Sequence, residues 1–336
     1  MTIDKALARN GSAALAAVWM LVSAGAAGAA TPTVLWQTTD AFTGIYSADG
    51  SSILVRTSGG DYQMRRSSDG LLQNNVTPTL KFPDAWAFSP NKQYVAITNR
   101  NDGISWIQLW AVSSNTLART INTGAVRSIK SLDISSAGLI QGFERFAYGG
   151  GGTVWVHRVS DGGQVAALGP YAQNSSPRAA FSPDGQYLAL TDQQGHVVRV
   201  LRSSNWSTAF TVGDGAGPFA WAPNSASYWV SGSFTFPTPW KQLNVPAGTV
   251  ARSILIDESQ NYPTAVTPNG SFFLTQSVTT SKIEIRRTSD LGVQVSYPFS
   301  NPVYAGVFNP AGTQFTYAVC PASGPCTFYV AQTPAL

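Results

Sequence analysis

Charge is what this chain has least of. Aspartate, glutamate, lysine and arginine make up 11% of its 336 residues, and the formal net charge is +4. That is less than half the usual charged share of a soluble domain. It leaves no basic stripe of the kind that neutralises nucleic-acid phosphates, so a nucleic-acid partner is not expected. Cysteine is scarce as well, limited to Cys320 and Cys326 in the segment CPASGPC. Two cysteines with no second pair and no nearby histidine cannot complete a zinc site. In an exported chain so close a pair forms a disulfide. Histidine occurs only at positions 157 and 196. There is no G-x-S-x-G element, zinc signature or phosphate loop. Spacing alone does not bring a nucleophile and its base together.

What the chain does have is turn and strand material. It carries 31 glycines and 20 prolines alongside 43% hydrophobic and 11% aromatic residues, which is turn-rich but not disordered. The first thirty residues follow the order of an export signal. Lys5 and Arg9 precede the apolar run Ala13 to Val22, and the small-residue tract SAGAAGAA ends at Ala30. We expect cleavage after Ala30, a mature domain over residues 31–336, an extracytoplasmic location and no membrane insertion once the leader is removed. The alternative is a retained anchor, since the apolar stretch approaches the length needed to span a bilayer. No cysteine follows the apolar run, so lipoprotein anchoring is not expected.

The mature region repeats one unit seven times. An apolar anchor followed by a Ser-Pro-Asp-Gly-like turn recurs at Tyr46, Phe88, Ile134, Phe181, Trp221, Val266 and Phe308, at intervals of 40 to 47 residues. Each unit reads as four strands, a to d, with the anchor ending strand a. A hairpin unit of this kind cannot bury both faces alone, and that period is the spacing of β-propeller blades. The expected fold is therefore all-β: a seven-bladed propeller with four antiparallel strands per blade. The seventh unit ends after strand c, so Thr33 to Thr38 is expected to supply its outer strand, close the ring and bury Trp36.

The repeats resemble the WD-repeat-like propeller superfamily, in particular exported bacterial members with degenerate SPDG turns. The resemblance covers nearly the whole mature chain and implies architecture far more than function. One departure is plain. The tryptophan column that ends strand c reads Arg65, Trp110, His157, Leu201, Asn244, Arg286 and Ala331, so the buried Asp-His-Ser-Trp network of strict WD repeats is not expected.

Topology sorts the loops by face. Turns a–b and c–d are short and alike, whereas loops d–a and b–c share the opposite face and vary, which is where sites are usually built. That variable face also takes Phe42, Trp106, Tyr148 and the Cys320–Cys326 hairpin, and its main aromatics are Trp86, Phe219, Tyr262 and Tyr304, which lead into strands a, and Phe234, Phe236 and Trp240, in a proline-rich b–c loop. With His196 they form the candidate binding set, suited to a protein or glycan partner. Trp86 and Phe219 lie two residues before an anchor, so blade packing competes with binding there. The leading expectation is an exported binding module without a cofactor. The alternative is a lactonase-like hydrolase or lyase in which Asp84, Asp214, Asp257 and Glu258 hold Ca2+ or Mg2+ at the channel. On the other face Arg66, Arg158, Arg202 and Arg287 share a column, with Asp69, Asp161 and Asp290 three residues on in three of the four turns. Local ion pairing within those turns is the expected arrangement.

Overall fold

The computed structural model describes residues 30–78, 85–101, 104–123, 129–145, 152–171, 178–192, 197–213, 219–222, 224–231, 238–256, 261–277 and 280–335. Every regular element among them is a β-strand, and the strands form seven four-stranded antiparallel sheets. The protein is a seven-bladed β-propeller. Its innermost strands are Ala41–Tyr46, Trp86–Phe88, Ile129–Ile134, Arg178–Phe181, Phe219–Trp221, Asn261–Val266 and Val303–Phe308, and each ends at a repeat anchor. Blade 3 is regular in outline, running from Ile129 to Leu168.

The repeated turn explains itself in hydrogen bonds. In blade 1 the Ser47 hydroxyl donates to Asp49 Oδ1 at 2.6 Å and accepts the Ser52 N–H at 3.1 Å. Gly50 then takes the left-handed conformation, φ 70°, that reverses the chain. Ser182 with Asp184 and Thr267 with Asn269 repeat the first of these bonds in blades 4 and 6. Blades 2 and 5 place Lys92 and Ser225 in the left-handed position. Lys92 turns this to use, because its Nζ reaches Asp49 of blade 1 at 2.6 Å.

The core is divided rather than central. Seven hydrophobic clusters occupy the seven junctions between neighbouring blades. Both faces of each blade are therefore buried, which is why its strands alternate imperfectly. The ring closes as expected. Val34–Thr39 pairs antiparallel with Thr327–Gln332, the third strand of blade 7. Trp36 is only 8% exposed.

The tryptophan column needs one correction. Asn244 N–H donates to Thr249 O as Arg66 N–H does to Leu71 O, so Asn244 belongs one column later and Leu243 fills the column itself. A one-residue register shift falls immediately before this column in blades 1 to 6, and Leu243 shares it. The polar members of the column tie down the following turn: Arg65 Nη1 donates to Gly70 O at 2.8 Å, and His157 Nδ1 lies 3.0 Å from Gly162 O. That carbonyl requires the proton on Nδ1. Burial pushes the His157 imidazole below its ordinary pKa, so it is neutral and structural. Arg286 and Glu284 form a buried ion pair in the same region of blade 6.

Three of the four arginines in the turn-face column are neutralised within their own turns. Arg66–Asp69, Arg158–Asp161 and Arg287–Asp290 pair at 2.6, 2.9 and 2.8 Å. Arg202, which has Asn205 where the others have aspartate, donates instead to Thr208 O at 3.1 Å. Exposed pairs of this kind contribute about 0–1 kcal/mol.

Candidate functional site

On the face of the d–a and b–c loops, a cleft of about 530 Å³ opens between blades 7 and 1. Its walls come from the two innermost strands and from the b–c hairpin of blade 7. Phe42 and Tyr304 stand four residues before the anchors of their blades, and Tyr304 is 49% exposed. Between them the floor is made by Gly44 and Gly306 against Phe328 and Tyr317. Both glycines are needed for their size. A Cβ on Gly44 would lie 2.7 Å from Phe328 Cζ, and one on Gly306 would collide with Thr316 Oγ1.

The flank of the cleft is covalently closed. Cys320 and Cys326 form a disulfide with a Cα–Cα distance of 4.1 Å. The hairpin they close is fastened on both sides: Cys320 N–H donates to Pro302 O at 2.9 Å, and Cys326 O accepts Ala41 N–H of blade 1 at 3.3 Å. The disulfide therefore stands where the first blade meets the last. Replacing both cysteines by serine should lower stability by about 2–2.5 kcal/mol, the loop-closure entropy of so short a ring. Equilibrium urea unfolding of the double variant, followed by tryptophan fluorescence, measures this; an unchanged midpoint would show that the hairpin is already held by its hydrogen bonds.

The cleft is uncharged along its described lining. The Arg56 guanidinium lies 5.1 Å from the centroid of Phe42, an attraction of about 0.5–1 kcal/mol. Behind the floor Tyr317 stacks on Tyr329 at 4.8 Å and meets Phe299 at 5.3 Å. Burial holds the Tyr317 hydroxyl protonated far above its ordinary range. The arrangement offers rigid apolar and aromatic surface with hydroxyl edges.

Among the described residues, Tyr304, Phe42 and the Cys320–Cys326 hairpin are the features singled out in the sequence that line this cleft. Trp240 is not a loop residue. It lies in Thr238–Asn244, 2% exposed, with its ring edge-to-face on Phe273 at 5.4 Å. The loop was expected to run from Ser233 to Trp240, but the strand has already begun at Thr238, and Trp240 belongs to the core between blades 5 and 6. Trp86 is half-buried, 5.3 Å from the ring of Tyr62, and packs the junction of blades 1 and 2. Phe219 and Tyr262 sit on innermost strands opposite Val230 and Gln276, but their side chains lie outside the described residues. So do Phe234, Phe236 and His196, and all four candidate metal ligands, Asp84, Asp214, Asp257 and Glu258. Among the described residues no three His, Cys, Asp or Glu side chains converge as a metal site. Gly44, Gly306, Tyr317 and Phe328 were not singled out in the sequence. A glycine inside an innermost strand was the available signal.

No helix among the described residues is long and apolar enough to cross a membrane. The sequence matches no protein-family model and no curated protein. Solved structures do match. The β-propeller domain of Cps50 (Swd1) from Myceliophteria thermophila aligns with a TM-score of 0.68 at 8% identity, over 90% of this chain and 100% of that one. Hydrazine synthase of Kuenenia stuttgartiensis aligns with a TM-score of 0.66 at 12% identity, over 90% of this chain and 97% of that one. At such identities the likeness is one of fold: the chain is a β-propeller.

Proposed function

We propose that this protein is an exported binding module of the WD-repeat-like kind, released after Ala30, that holds a protein or glycan partner at the cleft between blades 7 and 1. The carrying observation is the cleft itself: exposed Tyr304 and half-buried Phe42 line it together with Gly44 and Gly306, beside a disulfide-closed hairpin. Aromatic side chains present large contact area at low entropic cost, and a rigid flank reduces the ordering required on association. The disulfide and the basic, apolar and small-residue order of residues 1–30 support an oxidising, extracytoplasmic setting. The reading assigns no cofactor, and it confines function to recognition.

The test is a binding experiment with two readouts. The purified mature domain is immobilised and probed with a glycan array and with native envelope extract. The strongest interactor is then titrated against Tyr304→Ala and Phe42→Ser. Affinity should fall about tenfold or more for a residue at the centre of the contact, while the Tyr304→Ala melting temperature stays within a degree or two because its ring is half solvated. Full affinity in both variants would place recognition on another surface and end this assignment.

A further inference from the structure

At the opposite end of the channel, under the a–b turns, lies a second cavity of about 470 Å³, to which all seven blades contribute. Its wall follows from the repeat. The residue before each anchor is Ile45, Ala87, Asp133, Ala180, Ala220, Ala265 and Val307, so one position alone in this column carries a charge. Asp133 lines the cavity, and its carboxylate is held from both sides: Oδ1 accepts Ile134 N–H at 2.9 Å and Oδ2 accepts Phe181 N–H of the next blade at 2.8 Å. Those bonds fix the carboxylate but leave further lone pairs on both oxygens.

Among the described residues no cation pairs with it. Among the described lining residues the only other ionisable side chain is Tyr46, whose hydroxyl is 3.3 Å from Gln314 Oε1. On the neighbouring innermost strand Arg178 is exposed, and its charge acts on Tyr228 rather than on Asp133. A half-buried carboxylate without a counter-ion is costly unless something supplies one. A single carboxylate, even with serine hydroxyls and Asn309 in the same wall, is a poor Ca2+ or Mg2+ site, because those ions gather six or more oxygens or keep their waters. An organic ammonium asks for less. Its N–H donors need one carboxylate and a few carbonyls, and each innermost strand ends its sheet with one backbone edge turned from its own blade. Above Asp133 the mouth is lined by Phe88, Phe181, Phe308 and Trp221 and by the turn prolines Pro90, Pro183, Pro268 and Pro310, which suit an alkyl stem and the near approach of a cation to rings.

We propose that this end of the channel binds the primary ammonium group of an alkylamine, with Asp133 as its counter-ion. The site is separate from the cleft between blades 7 and 1 and does not depend on that assignment. Calorimetric titration of the mature domain with n-butylammonium, and with 1-butanol as a neutral match, tests it directly. The amine should bind at least tenfold more tightly than the alcohol, and Asp133→Asn should remove that preference. Proton competition is the second measurement. Burial pushes the Asp133 carboxyl up to about 6 against the lowering effect of its two N–H partners. Only the ionised form is a counter-ion, so amine affinity should be full at pH 7.5 and about tenfold weaker at pH 5. Because this is read on the unsubstituted protein, it stands even if Asp133→Asn folds poorly. Spermidine and N-acetyl-lysine methylamide, titrated in parallel, separate a free polyamine from a lysine side chain as the source of the ammonium. Equal binding of amine and alcohol, a pH-independent affinity, or undiminished amine binding by Asp133→Asn would each overturn the proposal.

Discussion

Deleting residues 31–39 should leave a protein that aggregates or melts at least 15 °C below the intact domain. The strand Val34–Thr39 gives blade 7 its fourth strand, so its loss bares the backbone edge of Thr327–Gln332 along the register Val34↔Ala331 to Thr39↔Thr327. Trp36 is the larger part of the effect. Its Nε1 donates to Ser67 O at 2.8 Å, its ring lies 6.1 Å from Phe328, and Gly70 of blade 1 approaches so closely that a Cβ there would be 2.7 Å from the indole. One side chain thereby joins the last blade to the first. Trp→Ala in such a setting costs about 3–5 kcal/mol, a large share of the 5–15 kcal/mol that stabilises a typical fold. Exposing an unpaired edge adds a route to aggregation. Differential scanning calorimetry of the deletion and of Trp36→Ala measures both parts. A deletion that melts with the intact domain would mean that the ring is held shut without its closing strand.

Trp240→Ser should unfold the protein in part rather than impair binding. The indole is sealed between blades 5 and 6, where Trp229 and Trp240 both meet Phe273 edge-to-face, at 4.6 and 5.4 Å. Removing it leaves a cavity that neighbouring strands cannot close without leaving the ring, and it buries a hydroxyl in the space. The expected loss is about 3–5 kcal/mol from the cavity, with more from an unpaired serine. For a chain of this size that lowers the melting temperature by roughly 8 °C or more. Partner affinity of the remaining folded fraction should be unchanged. A variant that keeps its melting temperature would return Trp240 to the surface. Tyr304→Ala is the useful contrast, being half solvated where Trp240 is sealed.

Those two aromatics mark the boundary between what local chemistry specifies and what assembly decides. The turn network that begins at Ser47, Asp49 and Gly50 recurs through side chains a few residues apart, so seven repeats, their strand order and the missing strand of blade 7 could all be read along the chain. The disulfide partners were legible for a like reason, since only two cysteines exist. Burial was not legible at the ends of strands. Trp240 and Tyr304 both look like loop aromatics beside proline or an apolar run, and only the neighbouring blade shows which ring is covered. Likewise only the bond from Asn244 N–H to Thr249 O shows that Asn244 stands one position beyond its expected column. Asp133 is the sharpest case. Its column could be aligned from the repeats, but its carboxylate became a channel group only when blade 4 brought the Phe181 N–H to within 2.8 Å. Turn chemistry acts within a few residues, and the sequence by itself determined the blades. Sites in a propeller form where strands some forty residues apart meet, and only closure of the ring placed them.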